Sequence, residues 1–451
     1  MKLTLIRISF LISLLCGFTL QTSLAQQAVD SLLDSQMAGL VTTYKALHAA
    51  PELSHYEQKT SALLAKELRA LGYTVTEGMG KYSRPEWKGY GVVGVMKNGA
   101  GPTVLVRSDL DALPVQEKTG LPYASTVRTK NDAGLDVGVM HACGHDIHIT
   151  SLLGTARMLA ALKDQWHGTL VLIGQPAEEA TDGAKAMLDD GLYNQIPRPD
   201  YALALHDSSD LEAGTIGVTA GFALANATKV EIIVRGIGGH GSRPETTKDP
   251  IVLAAQIVLG LQTIVSREVP PQDPAVVTVG SIHGGTRANI ISDEVRMELT
   301  IRSYKEEVRQ QILASIDRIA KGTAVAAGIP PALAPIVKVS DNETTPATYN
   351  NPALTERLTA VFTKLLGKDK VFLVPPVMGA EDFGRFALDG NQIPAVMFWL
   401  GATDANVLAE SKRTGKPVPS LHSALFAPVP EPTIRAGVKA MTAAVLELMK
   451  K

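Results

Sequence analysis

Cysteine is almost missing from this sequence: the 451 residues contain two, Cys16 and Cys143. Two cysteines cannot build a disulfide framework, so the fold has to rest on a hydrophobic core. An excess of one charge is missing as well. The 43 Lys and Arg residues nearly match the 45 Asp and Glu residues, leaving a net charge of −2 and no basic footprint for nucleic acid. Aromatic residues make up only 5%, yet hydrophobic residues reach 45% and charged ones 20%, which excludes wholesale disorder. The length predicts two or more domains.

The N-terminus explains one cysteine. Lys2 and Arg7 precede a 13-residue apolar run, Ile8–Leu20, and Ser23-Leu24-Ala25 follows as a small-x-small site. The run is too short to span a bilayer and suits the core of a secretory signal. Polar Gln26-Gln27 argues against a buried helix, and the large Leu15 argues against lipidation at Cys16. Residues 1–25 are therefore expected to leave as a signal peptide, giving a periplasmic or secreted protein without a membrane anchor. Cys143 is then the one thiol of the mature chain.

Helical patterns cover Val29–Lys45, Glu57–Leu71, Ile149–Leu162 and Ala184–Asp190. Between them lie continuous apolar runs at Gly91–Met96, Thr103–Val106, Thr169–Ile173, Tyr201–Leu205 and Ala395–Leu400. Buried strands alternating with helices predict an α/β domain with a largely parallel sheet. The middle of the chain reads differently. Strands at Thr228–Arg235, Ala275–Val279, Val295–Ile301 and Ile336–Val339 and helices at Pro250–Val265 and Glu306–Gly322 make a β-α-β-β-α-β order, ferredoxin-like. This predicts a domain over residues 223–343 inserted into one built from 26–222 and 344–451, which resumes with a helix at Pro352–Leu366.

Three apolar strands run into metal-competent groups: Asp109 and Asp111, Glu178-Glu179, and His206-Asp207. In α/β sheets ligands bind at the carboxyl ends of strands. The densest cluster is Met140–His148, reading MHACGHDIH. Thiolate and imidazole side by side suit zinc and other late first-row ions. Gly144 lets the backbone bend between Cys143 and His145, and Asp146 is placed to orient an imidazole. His141 and His148 read as supporting residues rather than ligands. A lone cysteine would ordinarily be inert and buried; the company of four metal-type residues sets that reading aside. Adjacent Glu178 and Glu179 point different ways, so one can ligate while the other faces a water as general base. Alone, the pair would read as acids at a helix start. Gly236–Gly241 fits G-x-G-x-x-G, but Pro244 and Pro250 follow and Ile251–Ser266 holds no acid, so it reads as a glycine-rich loop presenting His240. A Cys143 nucleophile paired with a histidine is a less economical account than a metal site.

The segments HAAPEL (48–53), SDLDALP (108–114), MHACGHDIH (140–148), QPAEE (175–179), ALHD (204–207), GGHGSRP (238–244), MGAEDF (378–383) and SLHS (420–423) resemble the M20 metallopeptidase superfamily. The match is to its amidohydrolase branch of hippurate hydrolases, N-acyl-amino-acid deacylases and auxin-conjugate hydrolases. The resemblance implies two divalent metals, with zinc, manganese, cobalt and nickel all compatible. Cys143 is implied as bridging ligand and His145, Glu179, His206 and His422 as the others. Glu178 is implied as general base and Asp111 as the carboxylate orienting a ligand. His240 and Asn289 would contact substrate from the inserted lid, which would also form a homodimer. The activity implied is hydrolysis of N-acyl amino acids, with a dipeptidase or exopeptidase as the alternative. A non-catalytic binding protein would not need Glu178. The lid departs from the family's usual Asn-Val-Ile-Pro-Asp at Asn289-Ile-Ile-Ser292-Asp293, and Gly379-Ala380 replaces Gly-Ser before Glu381.

Overall fold

Seven consecutive residues, Thr103–Asp109, are all buried. That strand is the third of a sheet whose faces are both covered, which is why its sequence does not alternate. In the computed structural model, which describes residues 29–388 and 391–450, the large sheet has eight strands. They are β1 (Thr74–Met79), β2 (Gly91–Asn98), β3 (Thr103–Asp109), β4 (Gly168–Gln175), β5 (Tyr201–Glu212), β6 (Ile216–Val218), β11 (Val371–Leu373) and β12 (Ala395–Thr403). Their order is β1-β2-β4-β3-β5-β12-β6-β11. The central four, β4, β3, β5 and β12, are mutually parallel, while β2 and β6 join them antiparallel. The sheet is largely parallel as expected, with mixed edges. The leader expected at residues 1–25, including Cys16, lies outside the described residues.

Alternate side chains feed two cores. Val104 and Val106 pack with Leu170, Leu172, Val396 and Phe398 on one face. Helix α1 (residues 29–49), α2 (Gln58–Ala70), α3 (His145–Ala161), α6 (Pro352–Leu366) and α7 (Pro430–Met449) contribute to that core. Leu105, Val171 and Ile173 face the other way, against Met187, Phe383 and Phe386.

The inserted segment forms a second, antiparallel sheet from β7 (Asn226–Arg235), β8 (Ala275–Gly284), β9 (Glu294–Ser303) and β10 (Ile336–Thr345), in the order β8-β9-β7-β10. Helices α4 (Pro250–Thr263) and α5 (Glu306–Ala326) pack on one face. Strand β9 alternates buried and open positions, the pattern of a sheet covered on one side only. Pro250 starts α4, and the Asp249 carboxylate caps it by accepting from Ile251 and Val252 N–H.

Several elements exceed their sequence outlines. β8 continues past a bulge between Val279 and Ser281. β10 continues through a polar stretch that apolar patterning cannot detect. β5 runs to Glu212 because β12 pairs with it along its length, so His206 sits within the strand rather than after it. α3 begins at His145, four residues early, because its first turn is made of the polar residues of the site.

Candidate metal centre

Parallel strands β3 and β4 stop at Asp109 and Gln175, and the chain leaves each toward one crevice. Gly144 enters α3 in the left-handed region, with φ +82. A Cβ there would lie 2.3 Å from Asp207 Oδ2, so only glycine permits this approach between Cys143 and His145. Ala177 and Thr181 also adopt positive φ, holding the Glu178-Glu179 turn in a costly conformation. Buried Glu57 pins that turn by accepting from Ala177 N–H at 2.7 Å. His422, also at positive φ, is held by its N–H to the Ala142 carbonyl at 2.8 Å.

The donor atoms converge. Cys143, His145 and His206 form one triplet with ligand atoms within 4.8 Å of one another, and Cys143, Glu179 and His422 form another, so the two share the thiol. His145, Glu178 and Glu179 make a third. Cys143 Sγ lies 3.6 Å from His206 Nε2. His145 Nε2 is 3.8 Å from both Glu178 Oε2 and Glu179 Oε1, and His422 Nε2 is 3.5 Å from Glu179 Oε2. His145 Nε2, Glu179 Oε1 and Asp111 Oδ1 are buried without a hydrogen-bond partner among the described residues. Buried polar atoms left unpaired in this number are what cations would satisfy, so the donor set fits divalent metals.

The imidazoles are pre-oriented. His145 Nδ1 faces the Asp111 carbonyl at 2.8 Å, and His206 Nδ1 faces the Asp207 carbonyl at 2.9 Å. Both leave Nε2 directed at the cluster, the arrangement that fixes a metal-binding tautomer. Burial works against a charged His145, but Asp109 and Asp111 raise its pKa to about 10. Burial, with His148 nearby, holds His206 well below the usual imidazole range. Burial and the neighbouring Glu179 push the Cys143 thiol up, so a cation is what would favour its thiolate. Burial raises Glu179 to about 8 against the opposing pull of His145. Burial, Glu381 and Glu179 raise Glu178 well above the usual carboxylate range.

Beneath the cluster lies a charged network absent from the sequence reading. Arg107, fully buried in β3, donates to Asp109 at 2.8 Å, Glu381 at 2.7 Å, Asp382 at 3.1 Å and the side-chain Oε1 of Gln175 at 2.8 Å. Glu178, Glu381 and Asp382 bring carboxylate oxygens within 4.8 Å of one another beside it. One guanidinium thus joins three separated motifs. A lone cation inside a strand buried on both faces was the available signal, because a buried charge must be paired.

Asp111 lies under the turn, accepting from Ser54 Oγ at 2.6 Å and Glu179 N–H at 3.0 Å, with Oδ1 3.4 Å from His145 Nδ1. Asp146 does not orient a cluster imidazole. It pairs instead with His48 of α1, whose Nδ1 lies 2.7 Å from Oδ2. His148 sits between Asp109 Oδ1 at 2.7 Å and Asp207 N–H at 2.9 Å, with both nitrogens engaged. His141 is buried, and desolvation lowers its pKa to about 4. The segments of His240 and Asn289 run side by side on the inserted unit, where His240 pairs with Ile290 and Gly241 N–H donates to the Asn289 carbonyl at 2.8 Å. Among the described residues, no hydrogen bond or ion pair joins either to the Cys143–His145 cluster. The glycine-rich stretch forms the short strand Gly239–His240 against Ile290–Ile291 and opens no helix.

A thiol, imidazoles and carboxylates converging beside parallel strands define a metallohydrolase-type site. The profile of Peptidase family M20/M25/M40 matches residues 105–414, and the chain belongs to that family. It is 38% identical over 365 residues to thermostable carboxypeptidase 1 of Saccharolobus solfataricus, covering 80% of this chain and 85% of that one. It is 39% identical over 342 residues to hippurate hydrolase of Campylobacter jejuni, covering 75% and 82%. The crystal structure of the Bacillus subtilis YXEP protein, described as a dinuclear metal binding peptidase from the M20 family, superposes with a TM-score of 0.72 at 27% identity, covering 92% and 99%. The chain is a metal-dependent amidohydrolase.

Proposed function

We propose that the protein hydrolyses the amide bond of N-acyl amino acids, using two divalent metals held by Cys143, His145, Glu179, His206 and His422. The observation that carries this reading is the pair of donor triplets sharing Cys143, with Glu178 beside them. Bound there, the metals would polarise a scissile carbonyl and acidify a water. Glu178 accepts the proton of the attacking water and returns it to the departing amine nitrogen. Its raised pKa suits both halves of that transfer. Arg107 and Asp109 hold the neighbouring carboxylate and imidazole in register. His240 and Asn289 reach substrate when the inserted unit closes over the crevice.

The test is a panel of N-acyl amino acids and dipeptides, assayed on protein of measured metal content with and without chelator. Chelation should abolish turnover, and re-addition of metal should restore it. Cys143→Ala should lose metal. Turnover that survives full demetallation would refute the reading. The carboxypeptidase relative supports a second reading as an exopeptidase, and preferential cleavage of the dipeptides would favour it.

Residues 1–25 support export to the periplasm or medium, which N-terminal sequencing of the mature protein checks. Helix α4 exposes Val252 at 53% and Leu259 at 73%, which supports a homodimer through the inserted unit. A monomeric mass by light scattering would rule that out.

A further inference from the structure

Beside Glu179 opens a cleft of about 480 Å³ that the expected site residues do not account for. Its volume falls in the range of small-ligand sites. Its inner wall is apolar: Leu53 from the loop before α2, and Ala112, Leu113 and Pro114 from the segment after β3. Its outer wall is a hairpin. Arg128–Lys130 pairs antiparallel with Asp136–Gly138, and the turn between them presents Asn131, Asp132 and Ala133 to the cleft. The Asn131 side chain fixes that turn by accepting from Ala133 N–H at 3.1 Å and Leu135 N–H at 3.0 Å. The Tyr56 hydroxyl donates to Asp132 Oδ1 at 2.9 Å, which joins the hairpin to the loop before α2.

The charges in this cleft are of one sign. Asp132 stands at the rim and Glu179 at the metal end, and no Lys or Arg lines it. His55 is on the wall, but its Nε2 is already taken by Asp182 at 3.0 Å and its ring is stacked on Trp87 with centroids 3.6 Å apart. Glu179 is one of the proposed metal ligands, so the carboxylate left to face an entering acyl group is Asp132, and no Lys or Arg among the lining residues offsets it. The amino-acid half of an N-acyl amino acid carries a carboxylate of its own, which would meet the same repulsion. The inserted unit, in contrast, offers exposed Arg287, two positions before Asn289 and in one pocket with Gly241 and Asp249.

We propose that this cleft is the acyl subsite, that it takes neutral apolar acyl groups, and that Asp132 rejects acidic ones. The inference rests on the N-acyl-amino-acid reading above. Substrate then lies with its acyl tail between Leu113 and the 131–133 turn and its carboxylate toward the inserted unit.

The experiment holds one amino acid constant and compares acetyl, hexanoyl, benzoyl and succinyl derivatives on the full metallated protein. Wild type should prefer hexanoyl to succinyl by about 100-fold or more in kcat/KM. Asp132→Lys should narrow that ratio by at least about tenfold. Ala133→Trp, at an exposed turn position, should lose benzoyl and hexanoyl turnover relative to acetyl by about tenfold or more. Equal turnover of hexanoyl and succinyl, or variants that scale every acyl group alike, would overturn the subsite while leaving the hydrolytic reading intact. Failure to hydrolyse any of the four would overturn both.

Discussion

Replacing Glu178 with Gln keeps the side-chain volume and removes one ionisable group. Two effects of opposite sign should follow. The first is on chemistry. A positioned general base is worth about 10²–10⁴ in rate, so kcat should fall by that factor while KM and metal content stay near wild type. The second is on the metal-free fold. Glu178 is buried beside Glu179, Glu381 and Asp382, and its pKa is raised. An acid whose folded pKa is raised binds its proton more tightly in the native state than in the unfolded one. Its contribution to stability therefore falls as pH rises above the ordinary carboxylate value of 4.5. The cost carried at pH 7 grows with that rise in pKa. Glu178→Gln removes that cost. The demetallated variant should melt at least about 2 °C above demetallated wild type at pH 7, and the difference should vanish near pH 4. Single-turnover kinetics and calorimetric melts read the two effects separately. Activity within tenfold of wild type would refute the base assignment. A lower melting temperature in the demetallated variant would refute the account of crowded carboxylates.

Two further outcomes concern the support of the site. His48 lies between Asp146 at 2.7 Å and Glu117 at 3.1 Å; burial opposes its charge, yet these carboxylates raise its pKa to about 9. The stability it adds is therefore complete below about pH 6.5 and lost as pH rises through 9, amounting to at most about 3 kcal/mol. Denaturant melts should show this loss in wild type, and a His48→Gln variant that kept the same alkaline slope would contradict it. Gly144→Ala must place a methyl 2.3 Å from Asp207 Oδ2 at φ +82, and should cost roughly 2 kcal/mol or more and lower metal content. Wild-type metal stoichiometry in that variant would show that the turn is not what brings Cys143 and His145 together.

The large sheet was legible because buried parallel strands write continuous apolar runs such as Thr103–Val106, and local spacing exposed the inserted β-α-β-β-α-β unit. The cluster Met140–His148 was legible because its residues are neighbours in the chain. Strand ends were less so. β5 extends to Glu212 because of its partner β12, which no local pattern reports. The sequence placed Asp146 to orient an imidazole but could not say which, for the same kind of reason. Its partner is His48 of α1, nearly a hundred positions away. The polar half of β10 and the start of α3 at His145 were missed because their residues serve an edge and a site rather than a core.

The sequence by itself determined the chemical inventory: a thiol, imidazoles and adjacent carboxylates following apolar strands, and a family resemblance that its motifs carry in order. Tertiary structure alone decided how those charges coexist. Arg107 reaches Asp109, Gln175, Glu381 and Asp382 across 275 positions of chain. The thiol of Cys143 falls into two donor triplets at once. The physical reason is that burial makes each of these groups costly alone. Only a packed sheet, which brings distant segments within a few ångströms, supplies the partners that make them tolerable together.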